Sequence, residues 1–462
     1  MRLCSRVFAT AFAVFLGART SAVAADASTG LAGILLRFFS PQSPIVLEAN
    51  TQPAGRGGGG GGGGSGGSGP ALNHAAHFAS QPNAQAVLAQ LNRGIASQIS
   101  TFPLGSSSAS FTYSYDESLG VYSRNTQSFG PIFTERPLTA GKGKLNFGIN
   151  YQNATYDRFE GKDLKEGGLT LYLVHEDAAN DGRFQPFFEG DIIKADVTLD
   201  LQSQTTVLHA NYGVSERFDL GVAVPWVDIS LDARIDTHIE RLSTAQDPNV
   251  HVFDGDLSDA TFKEGGSAHG IGDVVVRGKY NFLRKARTSL AGVLDLRLPT
   301  GDEKDLLGAG ATQAKLYLVA GGGPGRFSPR ASVGYTFSSG GSSFTGDLPD
   351  EINYTAGFDV VPHRRVTLTA DFLGRTLRDA QRLVDRDTVF QYATTRTSKT
   401  ILEATRTEAA IASGDLNLFL GSVGLKINPV GRLLIVANVL FSLGSGGLQD
   451  KITPIFGLDY SF

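Results

Sequence analysis

The sequence predicts a twelve-stranded antiparallel transmembrane β-barrel over residues 143–462, behind an N-terminal segment that is mostly not barrel. Three observations predict it. The last eleven residues, Ile452 to Phe462, put Pro454, Phe456, Leu458, Tyr460 and Phe462 on one parity and a mostly polar set on the other. Successive side chains of a strand point to opposite faces, so this is an amphipathic closing strand that ends in an aromatic residue. At the other end, two Arg within Met1–Arg6, an apolar run from Val7 to Ala18 and the small-x-small site Ala22-Val23-Ala24 read as a secretory signal peptide over 1–24. Between them, five tight connectors rich in Arg alternate with six longer ones. Outer-membrane barrels have short turns at one end and long loops at the other.

The connectors set the strand count. The short ones are Gly213 to Arg217, Leu283 to Arg287, Gly322 to Arg326, Pro362 to Arg365 and Asn428 to Arg432. The long ones are 154–190, 234–270, 300–312, 339–350, 379–414 and 444–450. Five turns and six loops separate twelve strands, an even number that suits closure within about ten to fourteen. Composition agrees. Only 41% of the 462 residues are hydrophobic, 57 are Gly, and mean hydropathy is -0.06. Past the signal peptide no apolar run approaches the roughly 18 residues of a membrane helix. A barrel with an apolar outside and a polar lumen averages to such a value.

Taken in order, the segment 25–142 opens with the short apolar stretch Leu31 to Phe39. Residues 55–69 form a Gly/Ser tether with eight consecutive Gly, and lack the Lys-Ser/Thr ending of a phosphate loop. Residues 83–99 space Val87, Leu88, Leu91, Ile95 and Ile99 as the apolar stripe of a short helix. Phe111, Tyr113 and Tyr115 alternate ahead of a turn at 117–120, a possible hairpin. An amphipathic helix must bury its stripe, so this segment is a candidate plug of the lumen, a layer under the periplasmic mouth or an arm for a periplasmic partner.

In the barrel, the apolar parity must face lipid, since an Arg or Lys there costs about 2–4 kcal/mol at the midplane. The other parity supplies candidate lumen-lining residues: Asp273, Arg277, Lys279, Asp295, Arg297, Lys315, Asp359, Asp371 and Arg375. They mix both signs, which argues against a single-sign selectivity ring. Alternation is poor in 191–213 and 416–443, where bulges or a locally apolar lumen are expected. Trp226, Tyr280, Phe282, Tyr335, Phe337, Tyr460 and Phe462 suit an interfacial girdle. In the last strand Phe456, Leu458, Tyr460 and Phe462 are the residues expected to engage the barrel-assembly machinery.

Other chemistries fit less well. Cys4 falls in the signal peptide, so the processed chain has no thiolate, disulfide or zinc-thiolate site. Of eight His, only His209 is on a predicted strand, and no nucleophile pairs with it in the pattern, so no enzyme is expected. Acidic clusters at Asp254, Asp256, Asp259 and at Asp302, Glu303, Asp305 lack the EF-hand register and read as solvated loops. Net charge is -4, with 41 basic and 45 acidic residues interspersed, which disfavours nucleic acid. No cofactor is expected.

Phe129 to Gly161, Leu220 to Asp228 (L-G-V-A-V-P-W-V-D) and Leu298 to Thr312 (L-P-T-G-D-E-K-D-L-L-G-A-G-A-T) resemble the bacterial family named for a meta-pathway of phenol degradation. The resemblance covers about residues 70–462. It implies a Gram-negative outer-membrane channel or transporter for small, weakly polar solutes, aromatic or hydrophobic ones included, and carries over no catalytic residue. The expectation is such a channel, in contact with outer-membrane lipid and with its lumen restricted by the N-terminal segment. A structural barrel that binds a partner through its loops or N-terminal arm is the alternative.

Overall fold

The computed structural model describes residues 30–39, 43–47, 78–80, 82–101, 105–106, 112–116, 121–124 and 126–462, the last without 176–189, 245–250, 256, 286–287, 323–324, 340, 343–345 and 395–399. The expected signal peptide over 1–24 and the expected Gly/Ser tether over 55–69 lie outside the described residues. The main strands are β1 (Leu145–Tyr156), β2 (Leu169–His175), β3 (Ile192–Gly213), β4 (Phe218–Glu240), β5 (Asp259–Ile271), β6 (Val274–Arg284) and β7 (Thr288–Leu298). They continue with β8 (Thr312–Gly322), β9 (Phe327–Ser339), β10 (Glu351–His363), β11 (Val366–Tyr392), β12 (Leu402–Ile427), β13 (Leu433–Ser442) and β14 (Thr453–Ser461). Every pairing between them is antiparallel.

All of these except β2 and β5 form a closed ring of twelve strands. Closure is between the first and last members, from Asn146 opposite Ser461 to Gln152 opposite Ile455. Closure removes the open edges that would otherwise present unpaired amides to lipid. The five tight turns join ring neighbours at one end, and the longer connections gather at the other. The outer face is apolar: Leu316, Leu318, Val333 and Phe456 are each 56–58% exposed. On the same strands Lys315, Tyr317 and Arg330 point inward. Trp226, Tyr280, Phe282, Phe337, Tyr460 and Phe462 are also exposed on the outside.

The long connections differ from the loops read in the sequence. Much of 234–270 and 379–414 is strand. β3, β4, β11 and β12 run past the ring, and β5 and β2 pair with the overhanging parts of β4 and β3. Hydrophobic parity inverts on the way. Near the turns β3 turns Leu208 and Tyr212 outward and His209 and Asn211 inward. Farther along, Ile193, Ala195, Val197, Leu199 and Leu201 are fully buried, while Asp196 and Asp200 take the outer parity. β4 switches beyond Trp226, from Leu220 outward to Ile229, Leu231 and Ile235 inward. An apolar outside suits lipid and an apolar inside suits water, so the switch marks where the strands leave the bilayer. The poor alternation in 191–213 is therefore a change of solvent, and β3 pairs with β4 without a register shift.

The overhang encloses two helices, α1 (Leu31–Arg37) and α2 (Pro82–Ser100). Leu31, Ile34 and Leu35 of α1 and Val87, Leu88, Leu91 and Ile95 of α2 pack with Leu199, Leu201, Ile229 and Leu231 in one buried core. The Asn92 side chain donates to the Ala32 carbonyl at 2.7 Å, and Asn83 donates to the Ala409 carbonyl at 2.9 Å. Gly94 is small because the Phe159 ring lies where a side chain would begin. The acidic loop after β7 is part of this cap, not a free surface: the Lys304 carbonyl accepts the Ala32 amide at 2.9 Å, and Asp305 accepts the Leu31 amide at 3.3 Å.

One cap carboxylate makes its stability depend on pH. Burial pushes the Glu160 carboxyl up to about 7, against the Leu383 amide at 3.2 Å and the Arg382 guanidinium at 3.6 Å. Its Oε1 has no hydrogen-bond partner among the described residues. A carboxyl raised from the usual 4.5 binds its proton more tightly in the fold than unfolded. Its contribution is thus complete below pH 4.5 and lost as pH rises through 7. Amide hydrogen exchange around 157–168 and 380–384, corrected for intrinsic rates, is expected to be better protected at pH 5 than at pH 8. Glu160→Gln should flatten that difference; an unchanged pH profile would exclude Glu160 as its source.

Candidate functional site: a charged lumen occupied by its own chain

Described residues between α2 and β1, 126–140 above all, lie along the inside of the ring. At the loop end, the Ser100 carbonyl accepts from Arg297, and the Thr101 hydroxyl accepts from Arg375 at 2.9 Å. At the turn end, the Ala140 amide donates to Asp219 at 2.9 Å and the Thr139 hydroxyl to the Glu216 carbonyl at 2.8 Å. Residues 126–140 between these limits are held by a series of charges on the wall.

Arg330 on β9 is the centre of the first group. It donates to Asp359 on β10 and to Asp371 on β11, each at 2.7 Å, and to the Thr134 carbonyl at 3.2 Å. All three charged side chains are 3% exposed or less. The free oxygens of the two Asp hold the lumen segment: Ser128 donates to Asp359 at 2.6 Å and the Phe133 amide to Asp371 at 3.3 Å. Gly357 lies opposite Arg330, and a β-carbon there would overlap the Asp371 carboxylate. A second group surrounds Glu135. Arg277 reaches it at 2.9 Å and Lys279 at 3.0 Å, while Lys279 also donates to the Leu138 carbonyl at 2.8 Å. On the opposite wall Lys426 donates to the Pro131 carbonyl at 2.6 Å.

The nine residues picked by parity are all on strands or strand ends of the ring, and they divide by role. Arg277 and Asp295 pair bidentately at 2.6 and 2.7 Å. Asp359 and Asp371 meet through Arg330. Arg277, Asp295, Arg297, Lys315 and Arg375 line one cavity of about 130 Å³. Lys279 sits nearer the turns, fully buried. Asp273 belongs to the loop end, where its two oxygens accept the Gly301 and Ala309 amides at 3.1 and 2.9 Å. Arg330 and Glu351 share the lumen parity of their strands but were not in that set, and Lys426 lies in 416–443, where the alternation is poor. Glu135 lies outside any strand, so no periodicity marks it.

Comparison with known proteins follows this geometry. Residues 181–384 match the family described as "Putative MetA-pathway of phenol degradation". Over that span the resemblance read from the sequence is borne out, and the span includes the Leu220 to Asp228 and Leu298 to Thr312 motifs. The match spans less than half of the chain, and the ring itself is the closed twelve-stranded antiparallel barrel expected from the sequence. Among solved structures, similarity extends to an outer membrane channel from Pseudomonas putida F1, at 10% identity over 71% of this chain and 98% of that one, TM-score 0.42. A FadL homologue from Pseudomonas aeruginosa is 13% identical over 70% of this chain and 90% of its own, TM-score 0.30. The CymD monoaromatic hydrocarbon channel is 10% identical over 70% and 88%, TM-score 0.25. No curated protein matches the sequence.

Proposed function

We propose that the chain is an outer-membrane channel for small, weakly polar solutes, including aromatic and hydrophobic ones, and that residues 126–140 restrict its lumen. The observation that carries this reading is the anchored segment itself. A ring of twelve strands is wider than the eight whose interior side chains alone fill it, and narrower than a 16- to 18-strand aqueous porin. Here a stretch of the same chain supplies the filling, and buried ion pairs hold it. The long connections, with the cap they carry, are assigned to the cell exterior and the Arg-rich turns to the periplasm, as barrels of this class are built. The outward Phe456, Leu458 and Tyr460 of β14, with Phe462 just after it, are proposed as the signal for the assembly machinery. The α2 stripe is spent on the cap core, which weighs against its being an arm for a partner.

The test is reconstitution. Full-length protein in planar bilayers should give small, reproducible conductance steps in KCl, and added phenol should reduce them. Proteoliposomes should admit glycerol and exclude sucrose. Membranes that stay electrically silent and solute-tight would reject the channel reading.

A further inference from the structure

We propose that Lys315 and Arg297 form a head-group site for a small organic carboxylate inside the lumen. The proposal rests on the channel reading and names its substrate class. Four cations and three carboxylates face the loop-end cavity. The carboxylates are all engaged. Asp295 is held bidentately by Arg277. Glu135 accepts from Arg277 and Lys279. Glu351 takes two bonds from Arg375, at 3.0 and 2.5 Å. Lys315 and Arg297 remain, and among the described residues neither has a carboxylate within ion-pair distance.

Register shows that this is not for want of a neighbour. On β8, Lys315 lies opposite Asp295 of β7, and Asp295 lies opposite Arg277 of β6. The central carboxylate faces a cation on each side and closes on Arg277. The Lys315 ammonium instead stands over the Tyr317 ring, 4.9 Å from its centre. Arg297 faces Val275 on one side and Gln313 on the other, both uncharged. Its bond to the Ser100 carbonyl caps the C-terminal end of α2, and among the described residues no carboxylate is in direct ion-pair contact with it. Unpaired cations inside a barrel are costly unless water or an anion meets them.

The cavity provides the room. Its volume of about 130 Å³ compares with roughly 10–15 Å³ for one water on the same measure. That is space for an organic anion, not only a halide. Phe133, Val275 and Leu373 form an apolar part of the wall, where the body of such a molecule would lie while its carboxylate meets Lys315 and Arg297. A cationic solute would find no free carboxylate there.

Isothermal titration calorimetry on the full-length protein in detergent, with benzoate as probe, tests the site. Benzoate should bind, and neutral benzamide should bind about tenfold or more weakly, the loss of a charge-assisted hydrogen bond. Lys315→Met and Arg297→Gln should each weaken benzoate by a similar factor. Arg284→Gln, at the turn end beside Glu216, should not. Retained heat-modifiable migration in electrophoresis checks that each variant is folded, and the benzoate–benzamide comparison needs no variant. Equal affinity for the two probes, equal affinity in all variants, or chloride displacing benzoate on equal terms would overturn the proposal. Binding is read without transport. A barrel that binds benzoate but does not conduct removes the channel reading and keeps the site; a conducting barrel indifferent to benzoate does the reverse.

Discussion

Replacing Arg330 with Met is expected to destabilise the barrel by about 3–5 kcal/mol, the usual cost of removing one partner from a buried ion network. The geometry makes this site severe. Arg330 is bound to two carboxylates on two other strands, and the three groups are almost sealed from water. Without the guanidinium, Asp359 and Asp371 are left as uncompensated buried charges that also hold Ser128 and the Phe133 amide. The measurement is the temperature at which the folded band disappears in heat-modifiable electrophoresis, which should fall by many degrees. The triple variant Arg330→Met, Asp359→Asn, Asp371→Asn separates two causes. If stranded charge is the problem, neutralising the carboxylates should recover much of the loss. No recovery would mean that the packing of the Arg side chain matters more than its charge.

How far the sequence revealed this arrangement depends on which solvent each strand faces. Inside the bilayer the rule is simple: lipid accepts only apolar side chains, so Leu316, Leu318 and Val333 on one parity and Lys315 and Arg330 on the other can be read directly. The turns were legible because short polar connectors that carry Arg, four of the five with Gly or Pro, interrupt the alternation. The overhang was not. Its strands obey the opposite rule, and its outer parity carries residues such as Arg234 and Asp236 that read as loop. β5 contains Gly265, Gly266 and Gly270, residues depleted in strands, and only pairing with β4 makes it one. The helical stripe at Val87 to Ile99 was visible, but what covers it was not, because its partners are spread along the chain from Leu31 to Ala409. The charge network was half legible. Parity places a side chain in the lumen without saying which residue it will meet. Asp295 had Arg277 and Lys315 as equally near neighbours, and only the structure shows that it closes on Arg277. Glu135, which joins Arg277 to Lys279, belongs to a segment with no period at all.

Replacing residues 126–135 with a Gly/Ser stretch of equal length, which removes Glu135 and keeps Arg136, is expected to raise single-channel conductance several-fold. Equal length matters, because the chain must still cross from Thr101 at the loop end to Thr139 at the turn end. The replacement removes Ser128, Phe129, Phe133 and Glu135, the groups through which the wall holds the segment. Gly/Ser chain has no anchors for Asp359, Asp371 or Arg277 and samples many paths, so it obstructs the lumen only transiently. The cap helices stay in place, with their buried stripe covered, so a change in current cannot be assigned to an unravelled cap. The wall loses counter-charges at Lys279 and Arg277, which should also shift ion selectivity toward anions. A second measurement therefore accompanies the first: the reversal potential in a salt gradient should move in the anion-selective direction as conductance rises. Unchanged conductance would place the narrowest point of the path elsewhere, in the cap or at the loop-end cavity. A larger conductance with unaltered selectivity would show that residues 126–135 obstruct the path but that Glu135 does not tune its charge.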